Sequence, residues 1–395
     1  MSASGGGPAL PAGAQTRVGS PSAVLVLTGG LVHLVHQLAV VRELPERVSR
    51  PGALDPPAAA PPVGVHITGV LRRDAAALEA LHDAIERWLL LLRRRDPARF
   101  GGLQLLREEW EVEAERWSIA CLNNQWLVGQ RAWIERLDLR ELVVCGDGLG
   151  IYYRCARELR ALLPSLLDRP IAEPGRRVRY VLSGRQPRWH RPPVAAAAVG
   201  EANRRELFAD LVASQRAAAE PALRLCLEAA QPEATLWLCS VPNLAHQFPG
   251  NRLPGSVLKA WRRRLQRRHG FDARRDRLVL IDHPKAPPGG SFGPRPEPWL
   301  AGPLRTAVAL EVLVALLLQA RPGRAVVVAG LTSALYGVRQ LTTAEVAWLG
   351  LAPLWWGNPL YWRRPLEFLH RSLRVARMAW ITAAEPQRLP PLPPQ

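Results

Sequence analysis

Short, unbroken apolar runs that each stop at a glycine or polar residue and hand over to a helical stretch constrain this chain most. They recur along both halves: Val24–Leu27, Val65–Gly69, Glu141–Cys145 and Val178–Leu182, then Thr235–Cys239, Arg277–Ile281 and Ala325–Ala329. Runs this apolar do not alternate in and out, so they suit strands buried on both faces, which is the condition of a parallel sheet with helices on each side. Between them, Leu31–Glu43, Asp74–Arg95, Asn123–Leu137, Gly150–Leu163, Glu201–Ala230, Pro254–His269 and Leu304–Gln319 read as helices, with Ser118–Cys121 as a further strand. The expected fold is α/β, with two Rossmann-like domains whose parallel sheets face each other across a cleft.

At 395 residues the chain has room for two domains with full cores. The Gly/Ala/Ser/Pro-rich residues 1–21 read as a disordered tail, and residues 384–395 as a proline-rich one. The basic, proline-rich stretch around residues 186–200 reads as a linker. The domains are then expected at 22–185 and 201–383. The apolar stretch Ala23–Val41 is broken by Thr28, Gly29, Gly30, His33, His36 and Gln37, and it lacks the flanks of a signal peptide. Val308–Leu318 contains Glu311 and is too short to span a bilayer. A soluble, cytoplasmic protein is expected, with contact at the inner face of the membrane left open.

The formal charge of +18 favours anionic partners. Of the 52 basic residues only Lys259 and Lys285 are lysine, so part of that charge reflects a compositional preference for arginine rather than a nucleic-acid footprint. No nucleic-acid-binding motif accompanies it. The five cysteines are widely spaced, with no C-x-x-C pair and no zinc-ligand spacing; Cys145 and Cys239 fall in apolar runs and are expected in the core. The helix Ser256–Gly270 is strongly basic. It is either a solvated face or a contact for an anionic membrane or polysaccharide. Trp355, Trp356, Tyr361 and Trp362 beside Arg363-Arg364 leave the same choice, with core packing the commoner role.

In open α/β sheets ligands bind outside the carboxyl ends of the strands. Four strand ends carry suggestive residues: Thr28-Gly29-Gly30, Gly146-Asp147-Gly148, His283-Pro284-Lys285 and Thr332-Ser333. The glycines around Asp147 allow a sharp turn that leaves its carboxylate at the sheet edge; a turn or helix-cap aspartate fits equally well. A dinucleotide fingerprint is disfavoured, because Ile151 takes the third glycine position and Asp147 would face a pyrophosphate. His283 can donate to a phosphate oxygen, and Lys285 offers a compact cation. Thr332 and Ser333 lie where a helix begins, so they are either a plain N-cap or a phosphate site. His33 and His36, three apart and without a carboxylate partner, do not make a metal site. With Gly29 and Gly30 they are placed beside the cleft, on the side where an acceptor would enter. Gly289-Gly290-Ser291-Phe292-Gly293 matches G-x-S-x-G but lies between prolines rather than on a strand–turn–helix, which excludes a hydrolase nucleophile.

In their order and strand-end placement, three of these junctions resemble the motifs of bacterial sialyltransferases of the GT-B fold: an acidic D/E-D-G motif, an HP motif and a Ser-Ser/Thr motif. The phrases CGDGLGIYY, DHPK and TSALY look most like the polysialyltransferase-type capsule branch. The resemblance spans Val24 to about Arg371. It implies inverting, metal-independent transfer from a CMP-sugar, with no further cofactor, to a glycan acceptor. It assigns Asp147 as general base, His283, Thr332 and Ser333 to the CMP phosphate, and Lys285 to the same neighbourhood. Gly146 stands where many members carry a second carboxylate, so Asp147 is the only carboxylate of that motif. Gly146, Gly148, Gly29, Gly30 and His33 fall on the acceptor side. The alternatives are a transferase using another nucleotide sugar, or a non-catalytic protein that binds glycan or nucleotide.

Overall fold

The structure is a computed structural model. It describes residues 23–48, 62–68, 75–123, 128–146, 175–182, 197–198, 201–230, 233–242, 252–283, 286, 289–293, 297–332 and 334–350. Both tails, most of the linker, the helix expected over Gly150–Leu163 and the Trp355–Arg364 segment lie outside these residues.

The first unit runs β1 (Val24–Thr28), α1 (Leu31–Val48), β2 (Val63–Ile67), α2 (Ala75–Arg95), α3 (Pro97–Phe100), β3 (Leu103–Leu106), α4 (Glu109–Glu113), β4 (Ile119–Leu122), α5 (Val128–Arg136), β5 (Glu141–Gly146), β6 (Arg177–Leu182) and β7 (Ala197–Ala198). The second runs α6 (Glu201–Ala229), β8 (Leu236–Ser240), α7 (Gly255–His269), β9 (Leu278–Ile281), β10 (Leu300–Leu304), α8 (Leu310–Ala320), β11 (Val326–Gly330), α9 (Ala334–Leu341) and β12 (Glu345–Trp348). All strand pairs are parallel. The sheets are ordered β3-β2-β1-β4-β5-β6-β7 and β10-β9-β8-β11-β12. Each is therefore a Rossmann arrangement with one reversal of strand order, between β1 and β4 and between β8 and β11. The protein is an α/β chain with two parallel sheets.

The central strands are fully buried, as their composition requires: β1, β2, β4, β8, β9 and β11 are covered along their whole length. α2 buries Ile85, Trp88, Leu89 and Leu92, one stripe at helical spacing. α7 does the same with Val257, Leu258, Trp261 and Leu265, and ends at Gly270, whose φ of 77° is the left-handed C-cap geometry glycine adopts freely. α8 is apolar apart from Glu311 and Gln319 and is buried from Leu310 to Leu317, Glu311 included, because it lies inside the protein rather than on it.

The long helix α6 packs against α1 and α2 on one side and against α8 on the other. Its Leu207, Phe208, Leu211 and Val212 share one continuous core with Leu34 and Leu38 of α1 and with Val312 and Leu313 of α8. Polar contacts fix its N-terminal half to the first unit. Glu206 takes Arg42 at 2.7 Å and Arg95 at 2.9 Å, Asp210 takes Arg95 at 2.6 Å, and Asn203 donates to Glu43 at 3.1 Å.

Two expectations change. The helix expected from Leu304 starts at Leu310, and Leu300–Leu304 is instead strand β10. Gly302 and Pro303 disguise that strand; at a sheet edge the missing proline N–H is tolerated. The edge strands β3 and β12 were not foreseen either, since each is only four residues long and half exposed.

Candidate active site

The second sheet reverses order between β8 and β11, so its crevice opens beside Ser240 and the Gly330–Thr332 corner. The Ser240 and Thr332 hydroxyls lie 3.2 Å apart. Gly330 is required by packing: a Cβ there would come within 2.9 Å of the Ser240 carbonyl and 2.9 Å of Leu335 Cδ1. Leu335 N–H donates to Thr332 O at 3.2 Å, so α9 begins at this corner.

On the other side of β8, β9 ends at Ile281 and the chain passes through Asp282 to His283. A turn closes there, with Ala286 N–H donating to His283 O at 2.8 Å. Asp282 is buried, and its Oδ2 accepts from Ser291 N–H at 3.0 Å. A Cβ on Gly290, where φ is 84°, would fall 2.7 Å from that oxygen, so only glycine lets the loop close on the carboxylate. This explains the G-x-S-x-G match: Ser291 is 1 % exposed and belongs to a loop tied to β9. Burial, with Asp282 nearby, pushes the Cys239 thiol of β8 up to about 12, so it stays protonated. Ser240 ends β8, and His283 and Thr332 each follow the end of a strand next to it, β9 and β11.

The first sheet reverses between β1 and β4. There the strand ends are tied by buried amides. Gln37 Nε2 donates to Leu27 O at 2.9 Å and Cys121 O at 3.2 Å. Gln130 Nε2 donates to Leu27 O at 2.8 Å and to Asn123 Oδ1 at 3.1 Å, while Gln130 Oε1 accepts from Asn123 N–H. Gly29 N–H donates to Asn123 Oδ1 at 3.1 Å. Above Gly29 lies His33, and one turn further is the buried His36. Burial first, then the charges of Arg204 and His33, hold the His36 imidazole well below its ordinary range, so it is neutral.

Of the residues singled out in the sequence, the structure brings His283 and Thr332 to one sheet edge. It places Gly29, Gly30 and His33 at the edge of the other sheet, with Gly146 ending β5 two strands from β1. Asp147, Gly148, Lys285 and Ser333 lie outside the described residues. Ser240 and Asn123 were missed, although each stands where an apolar run ends, the position that singled out the others. Gln37 and Gln130 sit on helices and left no such signal.

The basic face of α7 is divided. Arg262 lies over the Trp299 ring at 5.0 Å and Arg264 Nε donates to Trp348 O at 3.0 Å, while Lys259, Arg263, Arg267 and Arg268 are exposed. Among the described residues no helix is long and apolar enough to cross a membrane, and no group of three or more His, Cys, Asp or Glu side chains could hold a metal ion.

No family model matches the chain, and no curated protein matches it in sequence. Among solved structures it is similar to a sialyltransferase from Photobacterium damsela, with 12% identity, 91% of this chain and 80% of that chain covered, and a TM-score of 0.37. It is also similar to an alpha/beta-galactoside alpha-2,3-sialyltransferase from the luminous marine bacterium Photobacterium phosphoreum. There the identity is 8%, the cover 83% of this chain and 90% of that chain, and the TM-score 0.33.

Proposed function

We propose that the chain is a glycosyltransferase that moves sialic acid from CMP-sialic acid to a glycan acceptor, with inversion and without a metal. The observation that carries this reading is the placement of His283 and Thr332. Two residues chosen for their motif order flank the strand-order reversal of one sheet, with a second hydroxyl, that of Ser240, on the strand between them. Glycosyl transfer runs through an oxocarbenium-like state and needs a base on one face and a stabilised leaving group on the other. In this reading His283, Ser240, Thr332 and Ser333 donate to the leaving CMP phosphate, helped by the N-terminus of α9 and by Lys285. Asp147, directly after β5 of the other sheet, takes the proton of the acceptor hydroxyl.

The capsule-type polysialyltransferase branch is the narrower form of the proposal and rests on the motif phrases alone. A cytoplasmic enzyme whose exposed α7 cations meet the inner face of the membrane completes it. The test is release of CMP from CMP-sialic acid in the presence of a glycan acceptor and EDTA. Asp147→Asn should keep CMP affinity and lose turnover by about 10²–10⁴-fold. Release from another nucleotide sugar would favour the first alternative, and CMP binding without turnover the second. A strict magnesium or manganese requirement would sink the chemistry.

A further inference from the structure

Two glycines at the end of β1 have no steric reason to be glycine. Neither has a left-handed φ. A Cβ on Gly30 would meet nothing within 4 Å, and one on Gly29 would touch His33 Nδ1 at an ordinary 3.5 Å. Gly64 of β2 is different, since a Cβ there would strike Trp117 at 2.5 Å. Gly30 also opens α1: Leu34 N–H donates to Gly30 O at 3.0 Å, and glycine has no side-chain oxygen to cap the first N–H groups of the helix. Among the described residues nothing covers the Gly30 position, so the positive end of an 18-residue helix is left open at the point where strand order reverses.

A second, independent feature points into the same place. Asn123 is 5 % exposed, and its Oδ1 accepts from Gly29 N–H and Gln130 Nε2. Turning the amide over would set its NH2 group against both donors, so its orientation is fixed. The Nδ2 that remains is buried and has no hydrogen-bond partner among the described residues, and neither has His33 Nδ1 beside it. The Arg204 cation lies near His36 behind them. Of the unpartnered polar atoms among the described residues here, Asn123 Nδ2 can only donate, His33 Nδ1 donates in one tautomer, and Gln37 Oε1 accepts.

We propose that the crevice between the ends of β1 and β4 binds the carboxylate of a sugar acid, held by Asn123 Nδ2, His33 and the N-terminus of α1. Naming that sugar as a sialic acid rests on the functional reading above; the carboxylate site itself stands on the donors. The carboxylate has two sources, the donor's sialyl group or a sialyl residue ending the acceptor.

Calorimetry with the methyl glycoside of N-acetylneuraminic acid, which carries no nucleotide, tests the site on the full chain. The glycoside should bind and its methyl ester should not. Asn123→Asp keeps an acceptor for Gly29 and Gln130 but replaces the donor with a negative charge, and should weaken the glycoside at least tenfold while CMP affinity holds. Gly30→Ser, which caps the helix with its own oxygen, should weaken it too without lowering the melting temperature, which covers the case in which Asn123→Asp fails to fold. In turnover assays, a raised KM only for sialylated acceptors assigns the acceptor's carboxylate, and a raised donor KM with every acceptor assigns the donor's. Equal binding of acid and ester, wild-type binding in Gly30→Ser, or inorganic phosphate bound in place of the glycoside would overturn the proposal. Loss of CMP binding by the wild-type chain would overturn the functional reading and leave the glycoside result standing.

Discussion

The Ser240 and Thr332 hydroxyls meet at 3.2 Å across the point where the second sheet reverses its strand order. This contact joins the end of β8 to the start of α9. Thr332→Val keeps the shape and removes the hydroxyl. It should cost about 1 kcal/mol of stability, the usual worth of such a bond, and weaken CMP only modestly, because the backbone N–H groups of α9 remain. Chemical denaturation and calorimetry on the one variant check both.

His283 follows β9 with only Asp282 between them. His283→Ala should weaken CMP binding by about 1.5–3 kcal/mol, the range for a hydrogen bond to a charged group, and depress turnover alongside. Nucleotide affinity equal to the wild type's would remove His283 from the site.

Gly330→Ala should be costly although the change is one methyl group. The new Cβ would press on the Ser240 carbonyl, which is backbone and cannot swing aside. A loss of about 1–3 kcal/mol is expected, as for overpacking in a core, with CMP affinity falling because β8 and β11 must part. Thermal melting with and without CMP reads both.

His36 makes stability depend on acidity. Its folded pKa is lowered by burial, Arg204 and His33, so below the ordinary histidine range the unfolded chain binds a proton that the folded chain refuses. Stability is complete above about pH 6.5. It falls as the pH drops below that value, by at most about 1.4 kcal/mol per pH unit for one proton. Both ring nitrogens lack hydrogen-bond partners among the described residues, so His36→Leu should flatten this acid limb and gain stability at pH 5.5. Denaturation midpoints between pH 5 and 8 test it.

At the Arg95–Asp210 pair the two partners should respond unequally. Burial raises the Asp210 pKa despite Arg95. Asp210→Asn should therefore change stability little at neutral pH. Arg95→Ala strands a buried carboxylate and should cost about 1–2 kcal/mol, less than a fully buried pair because Arg95 is half exposed. Urea melts of the two variants decide.

The central strands were legible because burial on both faces leaves an apolar run no disguise, and the strand-end rule followed from them. It singled out His283 and Thr332. What stayed hidden depends on contacts between distant segments. β10 carries a glycine and a proline that only its edge position tolerates. Asn123 gains meaning from Gly29, ninety-four residues away in the chain, and from Gln130, whose helix face says nothing of the carbonyl it meets. Gly330 and Gly30 look alike in sequence, each closing an apolar strand, yet one is wedged against backbone and the other faces open space.

α6 is a shared wall. With one flank built into the core of the first sheet and the other into that of the second, it gives neither unit a surface on which to swing open. Any displacement of the two sheets has to glide over its side chains and keep them dry while it does. That favours a shear of small amplitude over a hinge. Substrates would then be gripped by ångström adjustments at the strand ends, and the salt bridges at Glu206 and Asp210 would set how far the glide can run before it is pulled back.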